Sequence, residues 1–230
     1  MGKLFDKNFF TRLLSAIILF PIVLYILYLG GLALYVLLAF AAFIMAYEWY
    51  SIISPRTAAL GRLWWCALGI VWVIAPIVAL YILREFGFDV ILYPLLLVVV
   101  TDTMAYVGGR TIGGPKLAPS ISPGKTWSGF VVGIISAAVF SIAMQHFGYL
   151  DFLPNELTAL IGFFGGALAL LSQVSDLLES KFKRIFGVKD SGKIIPGHGG
   201  LLDRTDSLVL TLPAYLGALV VSLHDIPILF

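Results

Sequence analysis

The sequence predicts an all-α, polytopic membrane protein of about seven transmembrane helices with its chemistry at the cytoplasmic face. Three observations carry that reading. Of 230 residues, 60% are hydrophobic and only 12% charged, against about 25% charged in an ordinary soluble domain. Uncharged runs of near-membrane length recur along the whole chain. Lys and Arg alternate from one connection to the next.

A bilayer core about 30 Å thick needs roughly 20 apolar residues of helix. The runs fall at Leu13–Leu29, Leu32–Tyr47, Leu63–Leu83, Val90–Thr101, Trp127–Gln145, Leu157–Ser175 and Ser207–Leu223. The fourth is short, and reaches membrane length only if its helix continues through Asp102 towards Gly108. The first follows Lys3, Lys7 and Arg12, as a signal peptide would, but another apolar run follows Gly30-Gly31 directly, with no small-residue cleavage site between them.

The amino-terminal segment, Glu48–Arg62, Asp102–Thr126 and Asp176–Asp206 hold every Lys and Arg except Arg84. Basic connections face the cytoplasm, so the amino terminus starts inside and the carboxyl terminus ends outside. We expect one membrane domain over residues 1–230, with amino-terminal spans at 1–101 and a catalytic half at 102–230. The net charge of +2 and scattered basic residues exclude a nucleic-acid partner. Cys66 is the lone cysteine and lies in an apolar run, which excludes an intramolecular disulfide. Trp49, Trp64, Trp65, Trp72 and Trp127 mostly fall near span ends, as an interfacial aromatic belt would place them.

Two polar cytoplasmic stretches hold the candidate chemistry. From Ser172 to Arg184 an apolar helix runs into a basic cluster. There Asp176, Glu179 and Lys183 stand three and four residues apart, on one helical face. Ionisable groups at membrane depth are costly and are functional candidates for that reason, although solvated charges at a helix end would look the same. From Lys189 to Asp206 the chain mixes acidic and basic side chains with closely spaced glycines. Glycines let backbone N–H groups line phosphate oxygens, Lys and Arg offset phosphate charge, and carboxylates recruit a hard cation. Asp203 and Asp206 lie one helical turn apart where the seventh span begins, so Asp176 and Asp203 would meet from adjacent helices in the geometry of a metal site; a flexible loop with a well-capped following helix is the plainer alternative. His198, between two glycines, is a candidate for phosphate contact, with proton carriage and loop structuring as the other roles open to it.

The other stretch runs from Thr101 to Trp127. Its Gly124-Lys-Thr126 is not a nucleotide-binding P-loop, because Pro119 stands where that motif needs glycine and a membrane helix precedes it where a strand should. Ser122, Lys125, Thr126 and Lys116 can still contact phosphate. Taken alone, this segment is better accounted for by turn formation and capping of the fifth span, since Ser, Pro and Gly are ordinary turn residues.

In order and spacing, Ser180, Lys183-Arg184, Lys189-Asp190, Pro196-Gly-His-Gly-Gly200 and Asp203-Arg-Thr-Asp206 resemble the phosphatidate cytidylyltransferase family, as do Asp102, Ala105-Tyr106, Leu117-Ala-Pro119, Ser122-Pro and Lys125-Thr-Trp127. The resemblance covers roughly Asp102 to the carboxyl terminus. Met104 and Ser175 depart from it where glycine is more usual. It implies a multi-pass protein of the inner (cytoplasmic) membrane acting on CTP and the membrane lipid phosphatidic acid, with Mg2+ on Asp176 and Asp203. It leaves room for K+ in the same site and for a homodimer. From the residues themselves we expect a catalytic group of Asp176, Lys183, Asp203, Arg204 and Asp206, with substrate contacts from Asp102, Ser122, Lys125, Thr126, Glu179, Arg184, Lys189, Asp190 and His198. The lipid phosphate would attack the α-phosphorus of CTP directly. The residues agree in offering no Ser-His-Asp or Cys-His nucleophile. A CTP-dependent polyprenol kinase and a lipid or anion transporter are the competing readings. A CDP-alcohol phosphotransferase lacks its longer array of spaced aspartates here.

Overall fold

The computed structural model describes residues 7–150, 158–194 and 199–225. Its helices are α1 (Lys7–Leu29), α2 (Gly31–Ile53), α3 (Ala59–Phe86), α4 (Phe88–Thr111), α5 (Trp127–His146), α6 (Thr158–Ile185), a single turn α7 (Leu202–Thr205) and α8 (Leu208–Asp225). The long helices coincide with the apolar runs. Among the described residues five of them, α2 to α6, are long and apolar enough to cross a membrane. The chain is an all-α polytopic membrane protein. Phe43 and Phe163 are 70% and 74% exposed, which water would penalise and lipid does not.

Two boundaries, those of α2 and α6, differ from the sequence reading, and the condition set for the fourth span is met. Helix α2 continues past Tyr47 through Ile53, so Glu48 belongs to the helix and not to a connection. Helix α4 does run through Asp102, to Thr111. Helix α6 runs on beyond Asp176 to Ile185, which places that aspartate within the helix and not at its end. The polar stretch between α4 and α5 closes into a small hairpin, β1 (Lys116–Ala118) against β2 (Ser122–Thr126), with Lys116 opposite Thr126.

Close helix packing uses missing side chains. A Cβ on Gly129 would strike the Ala105 carbonyl, and one on Gly165 would overlap the Ser141 hydroxyl. These contacts bind α4, α5 and α6 together, in the manner of small residues at membrane helix interfaces. Arg84, the one basic residue outside the basic segments, donates to the Leu27 and Tyr28 carbonyls at 2.5 and 2.7 Å, capping the end of α1. A second core joins Met45, Trp49 and Ile53 of α2 to Phe182 of α6 and Leu202 of α7. Trp49 is 3% exposed and stacks on Phe182 at 3.8 Å. It is a core residue and not part of an interfacial belt, because its indole N–H finds a partner inside, the Trp65 carbonyl. Trp64 and Trp127 are exposed, as a belt requires.

Candidate active site

The ends of α2, α4 and α6 meet the starts of α5, α7 and α8, and the polar residues gather there. The hairpin delivers Lys125, whose Nζ lies 2.5 Å from Asp176 Oδ2. Ser180, one turn on, donates to Asp176 Oδ1 at 3.3 Å. Both members of the Lys125–Asp176 pair keep about a quarter of their side-chain surface open, 25% and 24%, so the pair remains accessible to a ligand.

A second unit lies deeper. Lys183 Nζ bridges Glu179 Oε1 at 3.2 Å and Asp203 Oδ1 at 2.5 Å, with side chains 8% or less and 9% exposed. Glu179 and Lys183 pair on the face their spacing predicts, and Asp176, on the same face of α6, takes its partner from the hairpin. Trp72 on α3 donates to Glu179 Oε2 at 3.5 Å. Asp203 Oδ2 accepts from the N–H groups of Ser191 and Gly200, both at 2.9 Å, and from the Ser191 hydroxyl at 3.0 Å. Burial opposes charge on Asp203, but the Lys183 ammonium and the two backbone donors outweigh it and hold the carboxyl below its ordinary range. For Asp206 burial wins. With the negative charge of Asp176 added, it pushes that carboxyl well above its ordinary range despite Lys183 and the Ser207 N–H. Asp102, on an exposed part of α4, accepts from Ser207 at 3.5 Å. The Ser175 hydroxyl donates to the Asp206 carbonyl, which fits serine where a glycine is more usual.

Other expected contacts serve the fold in this structure. Thr126 is 7% exposed and caps α5 by accepting from the Gly129 N–H at 3.2 Å. Arg184 donates to the Ile121 and Val188 carbonyls at 3.1 and 3.0 Å, tying the hairpin to α6. Ser122 sits half-buried on β2, while Lys189, Asp190 and Arg204 are exposed around the site. His198 lies outside the described residues. Among the described residues no three His, Cys, Asp or Glu side chains form a metal cage. An all-oxygen set of one or two carboxylates still fits Mg2+, which keeps several waters and completes its shell with substrate phosphates. Asp176 has room for such an ion. Asp203 is more enclosed: Oδ2 already has three donors within reach, and Oδ1, beside the Lys183 ammonium, keeps a lone pair for one further bond.

Glu48 and Ser191 escaped the sequence reading. Glu48, 1% exposed, accepts from the Ser191 hydroxyl at 2.9 Å and from the N–H groups of Leu201 and Leu202 at 3.0 and 2.9 Å. A Cβ on Gly192 would lie 2.6 Å from its Oε1, and one on Gly200 2.5 Å from its Oε2. These two loop glycines therefore make room for a protein carboxylate. The signal is present: Glu48 is the one charged residue in Gly31–Ile53, and apolar sequence resumes after it.

Residues 56–222 match the model of the cytidylyltransferase family. The chain belongs to that family. It is 40% identical to a phosphatidate cytidylyltransferase of Rickettsia bellii over 90% of this chain and 89% of the relative. The Rickettsia typhi protein of the same name is 36% identical over 92% of each chain. That of Staphylococcus haemolyticus is 42% identical over 71% of this chain and 62% of its own. The protein is thus a nucleotidyl-transferring enzyme, which retires the transporter reading. Both salt-bridge units of the site lie inside the matched segment.

Proposed function

We propose that the enzyme transfers the cytidylyl group of CTP to phosphatidic acid, releasing pyrophosphate and forming CDP-diacylglycerol at the cytoplasmic side of the inner membrane. The observation that carries this reading is the Lys125–Asp176 contact at 2.5 Å. It joins the two polar stretches into one accessible charged site, in a chain whose relatives over about 90% of its length bear that activity's name.

A lipid phosphate oxygen attacks the α-phosphorus, and the bond from that phosphorus to the bridging oxygen of the β-phosphate breaks. Pyrophosphate carries off the electron pair, so no enzyme nucleophile is needed. The chain's task is to align two anions and offset their repulsion. Lys125 is placed for a phosphate oxygen, and exposed Lys189 and Arg204 are the candidates for the triphosphate. Lys183, buried between Glu179 and Asp203, holds the framework on which they stand. Mg2+ bound through Asp176, with Asp203 the second candidate, supplies charge neutralisation.

Purified protein incubated with CTP, Mg2+ and phosphatidic acid tests the reading. Lipid-linked cytidine and pyrophosphate in equal amounts support it. Release of CDP with a polyprenol acceptor, and no lipid-linked cytidine, would replace it with the kinase reading. Repeating the assay with and without K+, and sizing the active particle, tests the monovalent ion and the homodimer.

A further inference from the structure

We infer that Glu48, outside the segment that matches the family model, is a positioning residue for the active site, acting through Ser191 on Asp203. The inference rests on the proposed activity. It starts from a burial cost: a carboxylate 1% exposed is expensive unless its oxygens are satisfied, and every partner found for this one lies in the segment that leads into Asp203. Leu201 and Leu202 bind it through backbone N–H groups, so the chain immediately before Asp203 is tethered to α2 whatever side chains it carries. Ser191 binds it through a hydroxyl.

That hydroxyl is the joint. Ser191 Oγ lies 2.9 Å from Glu48 Oε2 and 3.0 Å from Asp203 Oδ2, yet it carries a single hydrogen and donates to one carboxylate at a time. The two acids therefore compete for one donor, and moving either changes what the other receives. Asp203 passes the constraint to Lys183 at 2.5 Å, and Lys183 passes it to Glu179 at 3.2 Å. A continuous polar chain thus runs from the second helix into the catalytic half. Glycine at 192 and 200 belongs to the same device, since any larger residue would displace the Glu48 carboxylate.

The test compares Glu48→Gln, Ser191→Ala and the double variant with the wild type, all purified in detergent and normalised to folded protein. Glu48→Gln keeps the volume but offers only one acceptor oxygen and puts an amide N–H₂ where an acceptor stood. Each single variant should lower kcat by roughly 10–100-fold, the range for losing a group that orients a catalytic residue, while KM for CTP changes by less than about twofold. The double variant should be little worse than either single one, because both break the same link. A purely structural Glu48 would lower melting temperature and yield but leave kcat per folded molecule intact, and that result overturns the inference. So does a double variant whose kcat defect is the product of the two single defects. If Glu48→Gln does not fold, Glu48→Asp, which keeps the charge but draws the carboxylate back from Ser191, takes its place under the same kcat criterion. Absence of lipid-linked cytidine with the wild type would count against the proposed activity, whereas a productive wild type with unaffected variants counts against Glu48 only.

Discussion

Lys125 Nζ lies 2.5 Å from Asp176 Oδ2, and a β-hairpin between two membrane helices holds it there. Thr126 and Arg184 brace that hairpin from either side, one by capping α5 and the other by binding the Ile121 carbonyl. Lys125 is therefore presented on a rigid arm. Lys125→Ala should lower kcat/KM for CTP by roughly 100-fold, the scale of removing one preorganised donor to developing charge. Asp176→Asn should nearly abolish turnover at ordinary Mg2+ while the protein stays folded. Steady-state kinetics with each substrate varied check both, and near-wild-type rates in either variant would remove the pair from the site.

Lys183 is enclosed by Glu179 and Asp203, with 8% of its side chain exposed. Its loss leaves two buried carboxylates facing each other. Lys183→Met should cost about 3–5 kcal/mol in stability, the usual penalty for breaking one side of a buried ion pair. Adding Glu179→Gln should recover a good part of that stability without recovering activity, because Asp203 still lacks its partner. Thermal melting in detergent beside the activity assay separates the two effects.

The glycines make a sharp pair of opposites. A Cβ at Gly165 has no room against Ser141, whereas one at Gly61 meets nothing within 4 Å. Gly165→Ala should destabilise by about 1–3 kcal/mol through overpacking. Gly61→Ala, in the first turns of α3, should be neutral or stabilising by up to about 1 kcal/mol. Melting temperatures of the two variants in one detergent would show whether helix contact, and not helix propensity, sets the outcome.

Orientation follows from the basic-residue pattern and can be read by labelling. With Cys66 replaced, cysteines at Ser120 and Lys193 should react from the cytoplasmic side, and one at His146 from the other. Labels at 120 and 193 reacting from opposite faces would break the single-site arrangement, since Lys125 and Asp203 follow each of them closely in the chain.

Much of the site was legible because its residue types are conspicuous in an apolar chain. Asp176, Glu179 and Lys183 stood out by charge, and the 3.6-residue period correctly put Glu179 beside Lys183. The same period puts Asp176 on that face too, but it does not show that the counter-charge comes from Lys125 of the hairpin while Lys183 is held by two other acids. Thr126 allows a phosphate contact but sits in a stretch whose residue types favour a turn and helix cap, and its geometry is that of a cap. The loop glycines resembled a phosphate cradle, but the requirement at 192 and 200 comes from Glu48. Glu48 itself was overlooked because a lone acid at the end of an apolar run looks like the start of a loop.

By itself the sequence determined that the chain lives in a membrane, where its long helices lie and which charged residues stand out against its apolar spans. Each of those is a local property: the bilayer imposes length and apolarity on every span separately, and an ionisable side chain in such a span is costly wherever the span sits. Only the tertiary structure decided the partners. Glu48 and Ser191 are 143 residues apart in the chain, and periodicity states which residues share a helical face without stating which helix that face meets. That choice came from close packing at Gly129 and Gly165 and from the Trp49–Phe182 stack, which bring α2 and α5 up to α6 and so bring two acids to one serine hydroxyl.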